Sequence, residues 1–323
     1  MNAAFLVVDK CPGLTSHDVV AMVRAVTGIK KVGHTGTLDP FATGVLVLAL
    51  GGATRFIQYL DESLKVYDAT VALGAATSTG DPEGEVIRTG PPADFSRLEE
   101  VLGDFHGEQL QTPPAYSAVK VKGKPLYKYA RKGEAVTVKP RPINIYGLTA
   151  PDYASDWLRV RLHCSRGTYA RVLADDLASA LGTAGHLREL RRLQSGPFTL
   201  DQALTLPELG QIAAGTRDWR KALRPGRGEE RMPWRSRRDV VRELLPHCIS
   251  LDQALSHLPV AQVPKGARAA LLQGGAPPAP PAGVADGGRY AAVHQGELVA
   301  VVERKGPVGV TQRAVKNSPS LRG

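Results

Sequence analysis

Residues 33–44 read Gly33-His34-Thr35-Gly36-Thr37-Leu38-Asp39-Pro40-Phe41-Ala42-Thr43-Gly44. A proline directly after an acid disfavours helical backbone for that acid, so we expect the carboxylate of Asp39 on an extended or turn segment. The three glycines of the stretch let backbone or a ligand approach closely. A carboxylate held in this way, with hydroxyl side chains nearby, can act as a nucleophile or as a general base.

Three interpretations of this stretch compete with one another. A phosphate-binding P-loop would end in Gly-Lys-Ser or Gly-Lys-Thr, which is missing here. An aspartyl phosphatase would carry a second acid two residues after the first, where Phe41 stands. A tight glycine turn with a capping aspartate explains a lone Asp-Pro pair, but it does not explain twelve residues. The stretch closely resembles the catalytic-aspartate motif G-H-T-G-x-L-D-P-x-A-T-G of the TruB family of tRNA pseudouridine synthases.

The composition is that of a globular protein. Its 323 residues suffice for one large and one small domain with a well-buried core. No apolar run reaches the 18 residues of a membrane span, and the N-terminus lacks the basic region and cleavage site of a signal peptide. We therefore expect a cytoplasmic protein. Cys11, Cys164 and Cys248 are too few and too scattered for a disulfide framework or a zinc site, and no metal-binding constellation is visible.

A net charge of +10 indicates a polyanionic partner. The charge is concentrated in residues 217–242, called the Arg-rich segment below, where ten basic residues accompany four acidic ones and two tryptophans. The smaller basic clusters are Lys30-Lys31 and the group Arg188, Arg191 and Arg192. A single cluster is typical of a solvated surface. Together with the motif at 33–44, the clusters favour contacts with RNA phosphates.

Hydrophobic periodicity predicts alternating strands and helices. The predicted elements are a strand at 5–9, a helix capped by Ser16 and ended by Gly28, an apolar run at 45–50, a helix at about 54–60, strands at 67–73 and 157–164, a helix between Gly167 and Gly182, a helical stretch at 250–258 and strands at 290–293 and 298–302. Residues 111–141 are rich in Lys, Pro and Tyr, which indicates a partly ordered basic insertion able to close over a ligand.

Two further N-terminal segments resemble motifs of the same family. Residues 9–16 resemble its D-K-P-x-G-x-T-S signature, except that Cys11 separates Lys10 from the proline. The resemblance implies that Lys10 positions this loop at the substrate. Lys65-Val66-Tyr67 resembles the K-x-Y motif, whose tyrosine lies against the target base. An aromatic ring can stack on a flipped base and its hydroxyl can exchange a proton; the alternative is a strand tyrosine packed in the core.

Residues 164–171 strongly resemble the segment C-S-K/R-G-T-Y-x-R. The resemblance implies that Arg171 pairs with the catalytic aspartate and that Tyr169 lies at the substrate. A partly buried carboxylate needs a cation to stay ionised, and a guanidinium offers two parallel donors. Without the resemblance, Arg171 would be taken for an exposed residue in the first turn of a helix.

Residues 190–193 resemble another segment of the family, which implies that Leu190 lines the base pocket and that Arg191 and Arg192 lie near phosphates. Residues 113–131 resemble the RNA-clasping thumb loop. The resemblance runs in order through about residues 5–215.

The resemblance implies an α+β pseudouridine synthase fold with a mixed, largely antiparallel central sheet, a basic thumb-loop insertion at about 111–141 and a small C-terminal β domain of PUA type. We expect residues 1–250, which include the Arg-rich segment, to form the catalytic domain. Residues 258–323 would then form the PUA-like RNA-binding domain.

The implied reaction converts uridine to pseudouridine in the T-loop of tRNA, at position 55. Asp39 would supply the catalytic carboxylate, which could attack C1′, add to C6 of the ring or remove the 2′ proton. His34 would fill the space vacated by the flipped nucleotide. No cofactor is needed, and we expect a monomer whose partner is the T-stem-loop and not a membrane. The rival is a non-catalytic RNA-binding or tRNA-folding protein, against which the joint presence of Asp39, Tyr67 and Arg171 argues.

Overall fold

The computed structural model describes residues 3–224 and 232–315. These residues divide into two compact units. The first unit takes in the described residues of Met1–Asp39, Val45–Asp61 and Pro197–Gly323. The second consists of Pro40–Gly44 and Glu62–Gly196. The motif at 33–44 therefore contributes residues to both units, with Asp39 in the first.

The N-terminal part of the first unit contains a buried pair of strands and one helix. Its elements are β1 (Ala3–Lys10), α1 (Ser16–Thr27), β2 (Val32–His34) and β3 (Thr43–Gly51), followed by short 3₁₀-helices at Gly52–Arg55 and Ile57–Tyr59. Strands β1 and β3 are neighbours in the sheet, and their central residues are almost fully buried. This burial explains why both read as continuous apolar runs rather than alternating ones.

Helix α1 begins one residue earlier than predicted. Thr15, not Ser16, is the N-cap, because its hydroxyl accepts from the Asp18 amide while the Asp18 carboxylate accepts from the Thr15 amide. Gly28 ends the helix with φ of 70°, as predicted. The helix predicted at 54–60 is wrong, since the chain there forms two 3₁₀ turns held by bonds between residues three apart, such as Phe56 N–H to Ala53.

The second unit is built on antiparallel strands. Its elements are β4 (Lys65–Leu73), β5 (Ala75–Thr77), β6 (Val86–Thr89), a 3₁₀-helix (Phe95–Arg97), α2 (Leu98–Asp104), β7 (Gly107–Gln111), β8 (Lys120–Val121), β9 (Lys124–Pro125), α3 (Leu126–Ala130), β10 (Arg141–Ala154), β11 (Trp157–Cys164), α4 (Ala170–Ala180) and β12 (Gly185–Ser195). The order β12-β4-β11-β10-β7 is antiparallel throughout. Thr43 and Gly44 run parallel to β12. The predicted mixed, largely antiparallel sheet is confirmed.

Strand β11 has one buried and one exposed face, which explains the alternation of apolar and polar residues in its sequence. Leu158, Val160, Leu162 and Cys164 are at most 2% exposed, while the residues between them face solvent. Helix α4 contacts β12 and β4 and contributes Leu173 and Leu177 to the buried side. The basic insertion contains the short hairpin β8-β9 and helix α3, whose Leu126 is buried.

The remainder of the first unit follows residue 196. Its elements are β13 (Phe198–Thr199), a 3₁₀-helix (Leu200–Gln202), β14 (Leu204–Thr205), α5 (Leu206–Ala214), α6 (Trp219–Leu223), α7 (Arg237–Leu244), a 3₁₀-helix (Leu245–His247), β15 (Cys248–Ile249), α8 (Leu251–Ala254), β16 (Val260–Gln262), α9 (Ala267–Leu272), β17 (Arg289–His294), β18 (Glu297–Lys305) and β19 (Val308–Ala314). Strands β14 and β15 both pair with β1. The described parts of the Arg-rich segment are packed helices, with Trp219 and Val240 buried.

Strands β16 to β19 form a four-stranded sheet of their own, which confirms the predicted small C-terminal β domain. One side of this sheet has a separate core around Tyr290 and Val302. Residues Leu298 and Val301 instead join the cluster that contains Phe5. The small sheet therefore shares a core with the rest of the first unit, and the predicted domain limits 1–250 and 258–323 stay a prediction.

Within residues 3–224 and 232–315, no helix is both long and apolar enough to cross a membrane. All three cysteines are free thiols.

Candidate active site

The backbone before Asp39 is held by a buried serine. The Ser16 hydroxyl donates to the carbonyl of Leu38 (3.1 Å) and accepts from the amide of Leu38 (2.9 Å). Both side chains are buried, whereas Asp39 is partly exposed. The first residue of α1 thereby fixes the peptide that precedes the acid. A carboxylate on such a support is preorganised, since its backbone does not have to be ordered during the reaction.

The start of the motif belongs to the β2-β3 hairpin. His34 pairs with Leu48 in the sheet, and its ring meets that of His17 edge-on at 5.2 Å. Lys10 is fully buried and donates to the carbonyls of Leu14 (2.8 Å) and Cys11 (3.1 Å). These are the contacts of a residue that positions a loop. The substrate-binding roles of His34 and Lys10 stay predictions.

The end of the motif lies in the second unit, against β12. Gly44 has φ of 97°, and a Cβ there would lie 2.1 Å from the carbonyl oxygen of Arg192. Thr43 donates to the carbonyl of Leu190 (3.4 Å) and accepts from Arg191 at the same distance. The structure thus brings together the last residues of the motif and the predicted residues Leu190 and Arg191. Gly33 needs no such freedom, because its missing Cβ would meet only ordinary contacts.

Tyr67 lies in the middle of the sheet, between β11 and β12. It is opposite Leu162 on one side and Arg192 on the other, and it is 9% exposed. Leu190 pairs with Ala69 on the same strand and is 8% exposed. The two predicted pocket residues therefore lie close together. Arg192 is only 2% exposed, so the predicted phosphate contact of its side chain is not supported.

Arg171 is buried, which contradicts the reading as an exposed helix residue. Its guanidinium donates to the carbonyl oxygens of Thr79 (2.7 Å) and Tyr116 (2.7 Å). It also lies 3.5 Å from a carboxylate oxygen of Asp81. A planar group with several fixed donors suits a position where three segments meet. The predicted pairing of Arg171 with Asp39 stays a prediction.

Asp81 is a functional candidate that the sequence did not reveal. It is 5% exposed, and its carboxylate accepts from the Thr79 hydroxyl and from the amide of Glu83 (3.1 Å). The carboxylate of Asp81, fixed by these partners, holds the guanidinium of Arg171 in one orientation. The run Ser78-Thr79-Gly80-Asp81-Pro82 signals a turn, but nothing in it identifies the distant arginine.

The basic insertion is anchored next to the same arginine. Gln111, where the insertion starts, accepts from the Tyr169 amide (2.7 Å) and donates to the Tyr169 carbonyl (3.1 Å). Five residues further on, the carbonyl of Tyr116 accepts from Arg171. Tyr169 and Arg171 thus connect the base of the insertion to α4. The substrate contact predicted for Tyr169 stays a prediction.

A buried ionic cluster lies at the start of β4, two residues before Tyr67. The Lys65 amine donates to the Ser195 hydroxyl (2.6 Å) and lies 3.8 Å from Glu62. Arg166 contacts the other oxygen of Glu62 at 3.1 Å. Burial lowers the pKa of Lys65 to about 8, although the carboxylate of Glu62 opposes this shift. The cluster fixes the end of the strand that carries Tyr67.

The lowered pKa of Lys65 predicts a pH-dependent stability. Between about pH 8 and pH 10 the folded state releases the Lys65 proton while the unfolded state keeps it, so this residue makes stability rise with pH. In Lys65→Met we expect the free energy of unfolding to lose this rise, by up to about 3 kcal/mol relative to the wild type. Urea unfolding at pH 8 and pH 10 measures it. The exposed Lys305→Met is the control, and an equal change in both variants would contradict the assignment.

No three His, Cys, Asp or Glu side chains come close enough to hold a metal within the described ranges 3–224 and 232–315.

What the site offers chemically is a partly exposed carboxylate on a fixed backbone in the first unit. The second unit offers an aromatic residue in a buried strand and an arginine held by carbonyls and a carboxylate. Such groups suit acid–base or nucleophilic chemistry on an aromatic base.

Two family models match consecutive parts of the chain. The model described as TruB family pseudouridylate synthase (N terminal domain) matches residues 24–170. The model described as tRNA pseudouridylate synthase B C-terminal domain matches residues 171–226. Together they take in the motifs at 33–44, 65–67 and 164–171.

Curated relatives match at about half of the aligned positions. The tRNA pseudouridine synthase B of Geobacter sulfurreducens is 51% identical over 214 residues, which cover 65% of this chain and 69% of the relative. The protein of the same name from Francisella philomiragia is 48% identical over 211 residues, covering 64% and 70%. That of Geotalea uraniireducens is 47% identical over 228 residues, covering 70% of both chains.

Solved structures resemble the fold over nearly the whole chain. A chain in the structure of an H/ACA RNP bound to a substrate RNA containing 2′-deoxyuridine aligns with a TM-score of 0.67 and 25% identity, covering 97% of this chain and 85% of that one. A chain of a Cbf5-Nop10-Gar1 complex aligns with the same TM-score and 28% identity, covering 96% and 84%.

Proposed function

Since the chain belongs to the TruB family of pseudouridine synthases and is an enzyme that isomerises uridine in tRNA, we propose that its target is the uridine at position 55, in the T-loop. The observation that carries the proposal is the loop ending in Asp39. Ser16 holds the peptide before the acid on one side, and Gly44 packs against the backbone of Arg192 after it. A carboxylate on a backbone that is held in place is what a single-acid isomerisation needs.

In this reaction the bond between uracil N1 and ribose C1′ breaks, the base turns and C5 bonds to C1′. The proton on C5 is lost and N1 gains one, so atoms and electrons balance without a co-reactant. We therefore propose that no small-molecule cofactor takes part. Asp39 is the carboxylate that acts on the nucleotide. The base must leave its stack to reach Asp39, at a cost of a few kcal/mol that stacking and phosphate contacts offset.

Arg171 is proposed as the cation that keeps Asp39 ionised. Its guanidinium is buried and oriented by Asp81 and two carbonyls. Because a guanidinium has five N–H donors, it can contact several acceptors at once. Leu190 and Tyr67 would enclose the flipped base, and Arg191 would contact a phosphate.

Tyr67 is proposed to stack on the base and to take part in the proton transfer at C5. Tyr67→Phe retains the ring and removes only the hydroxyl. We expect tRNA affinity to persist while the single-turnover rate falls by about 10² or more, the usual contribution of a general acid or base. A filter-binding assay and a rapid-mixing assay separate the two effects. An unchanged rate would assign Tyr67 to packing alone.

Tritium release from C5-labelled uridine in a tRNA transcript tests the function as a whole. The enzyme is expected to release one equivalent per tRNA, whereas a non-catalytic RNA-binding or tRNA-folding protein would release none. A transcript with cytidine at position 55 is the matched control. Release from that control would overturn the assignment of position 55 while leaving the enzymatic activity in place.

We propose further that the enzyme acts in the cytoplasm as a monomer, with the T-stem-loop as its RNA partner. The basic surface supports an RNA partner. His34, by its place at the head of the catalytic loop, would fill the space left by the flipped nucleotide, and Lys10 and Tyr169 would support the loops around it.

A further inference from the structure

The basic side chains of the Arg-rich segment differ in whether a carboxylate neutralises them. Several have one within ion-pair distance: Arg224 with Asp18 (3.7 Å), Arg235 with Glu243 (2.6 Å), Arg242 with Asp239 (3.1 Å) and Lys221 with Asp218 (3.4 Å). These pairs are exposed and contribute little attraction for a distant anion, because each cation is matched by a neighbouring carboxylate. The net charge of the segment therefore overstates the binding capacity of these side chains.

Four exposed cations have no carboxylate within ion-pair distance in the part of the chain that the structure describes. Arg237 and Arg238 form the first turn of α7, while Lys30 and Lys31 follow the end of α1. None of the four has an ion pair among residues 3–224 and 232–315. The nearest acid on α7, Asp239, already accepts from Ser236 and pairs with Arg242.

Gly28 brings the two pairs of cations to one place. The Cδ and Nε atoms of Arg237 lie 2.6 and 2.8 Å from the position that a Cβ of Gly28 would occupy. The side chain of Arg237 thus crosses the end of α1, two residues before Lys30. The φ of 70° at Gly28 favours glycine there. The end of α1 and the first turn of α7 therefore place four exposed basic residues in one region, here called the α1–α7 patch (Lys30, Lys31, Arg237 and Arg238).

A simpler reading is that Arg237 only neutralises the negative end of the α1 dipole. That role accounts for one cation at the helix end. It does not account for Arg238, Lys30 and Lys31, which crowd like charges together at a cost to stability. Such crowding is explained when an anion binds across the four side chains.

We propose that the α1–α7 patch binds the sugar-phosphate backbone of the tRNA stem that leads into the catalytic loop. This inference rests on the proposed function, because it takes the substrate to be tRNA. Lys31 directly precedes β2, so it lies only about 10 Å along the strand from His34 at the head of the motif. A stem whose loop reaches Asp39 therefore passes within range of the patch.

The patch is suited to a double-stranded backbone rather than to unpaired bases. Proteins that bind single strands combine cations with exposed aromatic rings on which bases stack. The two tryptophans of the Arg-rich segment do not serve this purpose. Trp219 is 8% exposed with Arg220 over its ring, and the indole of Trp234 donates to the carbonyl of Ala222 (2.8 Å). Cations without a stacking surface recognise phosphates, as proteins that bind RNA helices do.

The test compares two double variants of the full-length protein that remove the same charge from the Arg-rich segment. Arg237→Gln with Arg238→Gln removes half of the patch, whereas Arg235→Gln with Arg242→Gln removes two paired arginines. Binding of a T-stem-loop RNA is measured from 50 to 300 mM salt, roughly the range in which phosphate contacts dominate affinity. We expect the patch variant to bind about tenfold more weakly and its salt slope to flatten by roughly 1.8, the value for two lost phosphate contacts on a duplex.

Lys30→Gln with Lys31→Gln repeats the test with the other two cations of the patch and leaves the contact between Arg237 and Gly28 unchanged. It should reproduce the weaker binding without altering the melting temperature, which separates RNA binding from helix capping. Equal effects in the patch and paired variants would overturn the proposal in favour of net charge alone, and unchanged salt slopes would overturn it outright. Turnover at saturating RNA reports separately on the proposed function: a wild type that binds the stem but forms no pseudouridine would refute the function and leave the patch standing.

Discussion

Replacing Asp39 with alanine is expected to abolish pseudouridine formation while tRNA affinity stays within about tenfold of the wild type. The reason is that the carboxylate acts on the reacting nucleotide, whereas affinity comes from many phosphate contacts elsewhere on the surface. The peptide before Asp39 is held by Ser16 through Leu38, so the loop retains its backbone when the acid is removed. Tritium release under single-turnover conditions and filter binding with the same transcript measure the two quantities.

Two companion variants sharpen this result. Asp39→Glu keeps the charge but moves the carboxylate by one methylene, and we expect it to be nearly inactive because a shift of about 1 Å costs about 10²-fold in rate. Ser16→Ala keeps Asp39 but removes both hydrogen bonds to Leu38, so it should lose part of the rate. Substantial turnover by Asp39→Ala would refute the assignment of the catalytic acid.

Local features of the fold were accessible from the sequence because they depend on neighbouring residues. Strand β11 alternates since one face is buried, and Gly28 ends α1 because its left-handed backbone favours glycine. The errors are local too. Ser16 resembles an N-cap as well as Thr15 does, and only the reciprocal bonds with Asp18 decide between them. The 3₁₀ turns at 52–59 bury Phe56. An α-helix with the same spacing of apolar residues would bury it too, so the spacing does not distinguish the two.

The candidate site was accessible only in part, because its remaining members come from distant parts of the chain. Asp39, Tyr67 and Arg171 stand in motifs that a resemblance identifies. Asp81 stands in an ordinary turn, and its importance follows from a contact across 90 positions of sequence with Arg171. The same holds for the α1–α7 patch, since no sequence pattern relates Gly28 to Arg237.

Replacing Arg171 with lysine is expected to reduce the rate by about 10²-fold or more although the charge is kept. The guanidinium uses two different nitrogens to reach the carbonyls of Thr79 and Tyr116. The ammonium of lysine is one compact group without this planar fork, so it cannot contact both carbonyls and also face a carboxylate. The misplaced cation would leave Asp39 less firmly oriented, and a displacement of about 1 Å is enough for such a loss.

Because Arg171 is buried, its replacement could lower the rate simply by unfolding the protein. Control variants separate this effect from a direct effect on catalysis. Arg97→Lys is the matched control, since Arg97 forms a fully exposed ion pair with Glu100 and its replacement should change little. Asp81→Asn provides the second variant: it preserves the size of the side chain, removes the charge beside Arg171 and replaces one acceptor oxygen by a donor NH2 group. We expect it to slow single-turnover catalysis while the melting temperature and tRNA affinity show a folded protein. If Arg171→Lys works at nearly the wild-type rate in a folded protein, Arg171 is not the partner of Asp39, and the cation that keeps the catalytic acid ionised must come from another residue.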